Sequence, residues 1–90
     1  MNSMTLIEKK CWPEYFDAIL RGEKNYELRI ADFIANKGDT LLLREWNPKT
    51  KEYTGREIKK IITWIGKTKE WKFNKNEEVE KYGFLVLGFK

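Results

Sequence analysis

The groups most able to do chemistry are concentrated in one stretch, Gly22-Glu23-Lys24-Asn25-Tyr26-Glu27-Leu28-Arg29. From Lys24 to Ile30, apolar Tyr26, Leu28 and Ile30 alternate with Asn25, Glu27 and Arg29, the period of a half-buried strand with a charged second face. Glu27 and Arg29 stand two apart and therefore project from the same side. Lys24 lies at the mouth of that strand. Three charges of both signs at one junction can form a pocket for a polar ligand. They also fit a surface ion pair, worth at most about 1 kcal/mol.

A second concentration runs from Lys59 to Lys75. Lys59, Lys60, Lys67, Lys69, Lys72 and Lys75 are opposed there only by Glu70, with Trp64, Trp71 and Phe73 interleaved. Cations neutralise phosphates and aromatic faces stack bases, so this composition suits a nucleic acid. It equally suits a solvated lysine-rich loop beside core aromatics. The net charge of +4 favours a polyanionic partner.

Composition excludes several chemistries. The chain has no histidine and one cysteine, Cys11. Cys/His zinc sites and histidine-activated nucleophiles are ruled out, no metal site or cofactor is expected, and no internal disulfide can form. The lone thiol points to a reducing, cytoplasmic setting. No apolar run approaches the roughly 18 residues of a membrane span, and the first ten residues carry no apolar leader core.

The elements that position these groups follow from periodicity. Ninety residues make a single domain, residues 1–90, with a modest core. Thr5 to Lys10 reads as a short first strand. Pro13 suits the first turn of a helix, where its missing N–H costs nothing. Trp12, Tyr15, Phe16, Ile19 and Leu20 then recur on one helical face, and Gly22 supplies the left-handed residue that ends it. Gly38-Asp39 signals a turn before a strand from Thr40 to Trp46. Asn47 to Gly55 reads as a polar hairpin loop, and Arg56 to Ile65 as the longest strand. A short helical turn is expected near Glu77 to Lys81. The nearly continuous apolar run from Phe84 to Phe89 predicts a central strand buried on both faces. The fold class is α+β, mostly β: about five strands and one early helix, closed into a small mixed barrel that leaves no bare edges.

Gly22, Lys24, Glu27 and Arg29 fit the G-x-K-x-x-E-x-R signature of the ASCH (activating signal cointegrator homology) superfamily. Trp12-Pro13-Glu14-Tyr15-Phe16, the run from Gly38 to Trp46 and Tyr53-Thr54-Gly55-Arg56-Glu57 resemble one branch of it, of unassigned function, found in bacteria, archaea and phages. The resemblance runs from about Leu6 to Ile65 and resumes from Tyr82 to Phe89. It implies a PUA-like barrel that binds RNA or a nucleotide-like ligand in a cleft lined by Lys24, Glu27 and Arg29. By extension of the motif, Arg44, Glu45 and Trp46 form the other wall.

Some small ASCH proteins are amidohydrolases that deacetylate acetylated cytidine with a lysine, a threonine and a glutamate. Lys24 matches the lysine, but Glu27 stands where the threonine belongs. An enzyme, whether amidohydrolase-like or a ribonuclease, would then use Glu27 as base with Lys24 and Arg29 stabilising an oxyanion. A third reading is a protein-interaction module; oligomeric state stays open.

If RNA lies along Lys67, Lys69 and Lys72, log affinity falls with log salt by nearly one unit of slope per phosphate neutralised. The triple glutamine variant then shows a flatter slope in titrations with single-stranded RNA. An unchanged slope places the contact elsewhere.

Overall fold

The computed structural model describes residues 5–68 and 83–90. The chain runs β1 (Leu6–Cys11), α1 (Pro13–Leu20), β2 (Tyr26–Ile30), β3 (Thr40–Asn47), β4 (Glu52–Lys67) and β5 (Phe84–Phe89). The expected helical turn near Glu77 to Lys81, and Lys69, Lys72 and Lys75, lie outside the described residues. No helix among the described residues is long and apolar enough to cross a membrane.

The strands form one five-stranded mixed sheet in the order β1-β3-β4-β5-β2. β1 lies parallel to β3, and the other neighbours are antiparallel. The central strand β4 is 16 residues long and serves two ladders. Its first part, to Ile61, pairs with β3, and its last part, from Ile62, pairs with β5. Among the described residues, strand pairing leaves β1 and β2 as free edges, so the sheet is not a closed barrel. The two edges nonetheless approach each other: the Arg29 guanidinium on β2 donates to the Lys10 carbonyl on β1.

Local chemistry explains the boundaries. Gly22, at φ 78°, closes α1. Its N–H donates to the Ile19 carbonyl at 3.1 Å, and the Glu23 N–H donates to the Ala18 carbonyl at 3.0 Å. This paired cap satisfies the last helical carbonyls and turns the chain straight into β2. The buried Asp39 carboxylate accepts the Thr5 N–H at 3.0 Å and the Asn36 N–H at 2.8 Å. The Gly38-Asp39 turn therefore also fixes the start of β1.

The expected loop from Asn47 to Gly55 is shorter than its polarity implied. The Asn47 side-chain oxygen accepts the Lys49 N–H at 2.9 Å, and Lys51 takes a left-handed φ of 57°. These two features complete the reversal by Lys51, so pairing resumes at Glu52 rather than Arg56.

The core joins Ile7 and Cys11 of β1, Phe16 and Ile19 of α1, Leu41 and Leu43 of β3, Ile62 of β4, and Leu85, Leu87 and Phe89 of β5. Two expectations need correction. Leu20 belongs to the apolar face of the helix in sequence but is 50% exposed, whereas Phe16 and Ile19 are each 1% exposed. A helix of eight residues offers only two turns to the sheet, and Leu20 sits at its end. β5 is central in pairing, between β4 and β2, yet Phe84 on its outer side is exposed. Only Leu85, Leu87 and Phe89 are fully inward.

Burial decides the energetics of the helix contact. Phe16→Ala is expected to cost roughly 3–5 kcal/mol, the range for emptying a packed aromatic site. Leu20→Ala should cost well under half as much. Urea unfolding of both variants checks this, and equal losses would contradict the packing described.

Candidate functional site

β2 reaches the site with its faces reversed from the sequence expectation. Glu27 points inward and is 4% exposed, while Tyr26, Leu28 and Ile30 are about half exposed. The period of two holds, but Glu27 and Arg29, not the apolar set, take the inward side. A carboxylate turns inward only if partners replace its water, and here two do. Lys24 Nζ donates to Glu27 Oε1 at 2.8 Å. Arg29 Nε donates to Oε2 at 2.9 Å, and its terminal nitrogen stands 2.8 Å from the same oxygen. Lys24 Nζ also donates to the Tyr26 carbonyl at 2.7 Å.

The triad lines a cleft of about 630 Å³ between the free edges of the sheet. Trp12 and Tyr15 form one wall, their rings stacked at 6.5 Å between centroids. Tyr26, Trp46 and the end of β1 complete it. Lys10 at the rim carries its ammonium 4.4 Å from the Trp46 ring centroid, and among the described residues it has no carboxylate partner. Lys24 lies 4.7 Å from the Tyr26 ring and 5.8 Å from the Tyr15 ring. Three cations and one carboxylate thus share an aromatic-walled cleft, leaving an excess of positive charge.

Of the anticipated far wall, only Trp46 lines the cleft. Period-two alternation places Glu45 on the opposite face of β3 from Arg44 and Trp46. Glu45 is 3% exposed and accepts from Arg56, Nε to Oε1 at 2.9 Å and Nη2 to Oε2 at 2.6 Å. Thr54 adds a hydroxyl donor to Oε1. Arg56 holds the Glu45 carboxyl below the usual carboxylate range, against the opposing effect of burial and with help from Thr54. The resulting stabilisation is complete above the ordinary carboxylate pKa and is lost as the pH falls through the depressed one. Arg56 continues to Asp17 on α1 at 2.8 Å. Arg44 bridges Glu8 at 3.4 Å and Glu57 at 3.2 Å on the outer surface. Lys67 is exposed at the end of β4 and is not part of the cleft lining.

Sequence reasoning passed over Lys10, Cys11, Trp12, Tyr15 and Tyr26 as lining residues. The apolar helical face expected from sequence includes Trp12 and Tyr15, but both are nearly half exposed and border the cleft rather than the core. Lys10 gave no signal, because its place depends on β1 ending beside β2.

The chemistry of the floor favours recognition. Both Glu27 oxygens are held by cations and each keeps room for a further hydrogen bond, so the carboxylate is set to accept from a ligand donor. The Cys11 thiol is pushed up to about 11 by burial and then by the Glu27 charge, partly offset by Lys24 and Arg29. It is a protonated wall group, not a thiolate nucleophile.

Residues 7–89 match the family described as Domain of unknown function (DUF3850). Over 64 residues the chain is 38% identical to the "Uncharacterized 12.9 kDa protein in GpA 3'region" of Escherichia phage P2. That alignment covers 71% of this chain and 57% of the phage protein, so the chain spans little more than half of that relative.

The raised Cys11 pKa fixes a sign. The unfolded thiol ionises at an ordinary pKa near 8.5, while the folded one holds its proton until about 11. Stability should therefore fall as the pH rises between those values. Denaturant midpoints across that window should show the decline in wild type and a smaller one in Cys11→Ala. Identical slopes would mean that Cys11 ionises freely in the folded protein.

Proposed function

We propose that this chain, which belongs to the DUF3850 family, is an RNA- or nucleotide-binding module whose ligand occupies the cleft between the two sheet edges. The observation that carries this reading is the convergence of Lys10, Lys24 and Arg29 on an aromatic-walled cleft with a buried carboxylate in its floor. Unpaired bases stack on aromatic side chains, and cations meet the phosphate. A volume of about 630 Å³ suits a nucleotide-sized ligand, since small-molecule sites run from about 300 to 1,000 Å³.

The ASCH signature is the same set of residues. In this reading Gly22 ends the helix, Lys24 and Arg29 flank Glu27, and all three charged groups line the cleft. A PUA-like architecture accords with the long β4 shared by two ladders and with the approach of β1 to β2. The cleft occupies the seam where such a barrel would close.

Glu27→Gln is a poor first test, because it leaves Lys24 and Arg29 around a buried group without its charge. Trp46 and Lys10 are better, since neither belongs to the core. Trp46→Ala should weaken binding of short single-stranded RNA by about 1–3 kcal/mol, the worth of one stacked base. Lys10→Gln should weaken it and lower the salt slope by nearly one unit. Both variants should keep the wild-type melting temperature within a few degrees. RNA affinity unchanged in both would overturn the proposal.

A further inference from the structure

The floor of the cleft has a directional pattern. Lys24 is a pure donor, Glu27 an acceptor when ionised, and Arg29 again a pure donor. Their order is fixed by the two ion pairs, with Glu27 in the middle, Oε1 turned to Lys24 at 2.8 Å and Oε2 to Arg29 at 2.9 Å. The carboxylate is more than nine-tenths buried and lines the cleft. Each of its oxygens has further acceptor capacity; Lys24 keeps one N–H beyond those given to Glu27 and the Tyr26 carbonyl, and Arg29 keeps its other terminal nitrogen beyond those given to Glu27 and the Lys10 carbonyl. A planar ligand lowered between the aromatic walls meets donor, acceptor and donor in sequence.

We propose that this row selects a uracil-type edge. The inference rests on the nucleotide-binding reading and names the base within it. The complementary edge must read acceptor, donor, acceptor, and uracil presents O2, N3–H and O4 in that order. Cytosine turns the N3 lone pair towards the carboxylate and its amino group towards a cation. Adenine also sets a ring-nitrogen lone pair against the carboxylate. Guanine matches at O6 and N1–H, but its amino group then faces a cation. Each mismatch leaves a desolvated polar group unpaired or opposed, and such penalties discriminate more strongly than the loss of apolar contact. Lys10 stands at the rim beside Trp46, outside the row, where it meets the ligand's phosphate and not its base.

Titration of the wild-type protein with the 5′-monophosphates of uridine, cytidine, adenosine, guanosine and N3-methyluridine, followed calorimetrically, tests the inference without altering the fold. Uridine monophosphate should bind at least tenfold more tightly than each of the others. N3-methyluridine is the sharpest comparison, because it keeps both carbonyls and the stacking face and loses only the central donor. Lys10→Gln should weaken all five alike and preserve their ratios. Measurable but equal binding of uridine and N3-methyluridine monophosphates would overturn the base assignment and leave the nucleotide cleft standing. Binding of none of the five, together with equal affinity for oligouridine and oligocytidine, would also overturn it while RNA binding survived. Binding to no nucleotide and no RNA would remove both.

Discussion

A carboxylate buried at the edge of a small sheet organises this molecule. Glu27 stays inward because Lys24 and Arg29 replace the water it has lost. Those two contacts tie together the exit of the helix and the strand that follows it. The same guanidinium reaches the backbone of β1, so one charged cluster holds the two unpaired edges of the sheet in proximity. Replacing such a cluster with apolar groups is often neutral for stability. What this one specifies is geometry: an opening that stays polar at its floor.

A second ion-pair network, on a different part of the sheet, sets the aromatic wall. Arg56 grips Glu45 from β4 and extends to Asp17 on α1, with its guanidinium 4.8 Å from the Phe16 ring. Phe16 and Ile19 supply the apolar contact of the helix, and Arg56 adds a polar one beside it. Trp12 and Tyr15 ride on that helix, so the width of the cleft depends on residues that never line it.

Much of the fold was legible. Pro13 is the first residue of the helix and Gly22 lies two past its last, and the β-branched and apolar runs locate the strands. Gly38-Asp39 declared a turn, although its role in fixing the start of β1 required Asp39 to be seen accepting two backbone N–H groups. What periodicity could not supply was direction. Alternation on β2 shows that Glu27 and Arg29 share a face, but hydrophobicity then assigns that face to solvent. The assignment reverses because both partners of Glu27 are within three residues of it, a local arrangement that pattern counting ignores. Arg44-Glu45-Trp46 failed as a unit for the complementary reason. Neighbours on a strand diverge, so a contiguous motif cannot form one wall. The cleft lining was least legible of all, since it joins the end of β1, the flank of α1 and the end of β3.

The long β4 has a consequence for how the sequence can vary in length. Its two ends serve different neighbours, and both must present the correct side to the interior. A single residue gained or lost between Glu57 and Ile61, where pairing with β3 is regular, would turn one ladder inside out relative to the other, because side chains alternate along a strand. The strand behaves as a ruler whose graduations are shared by two halves of the sheet. Room for a change in length lies instead at the reversal at Pro48–Lys51, where an added residue lengthens a loop, and at the irregular step between Tyr53 and Glu57, where β4 already carries more residues than β3.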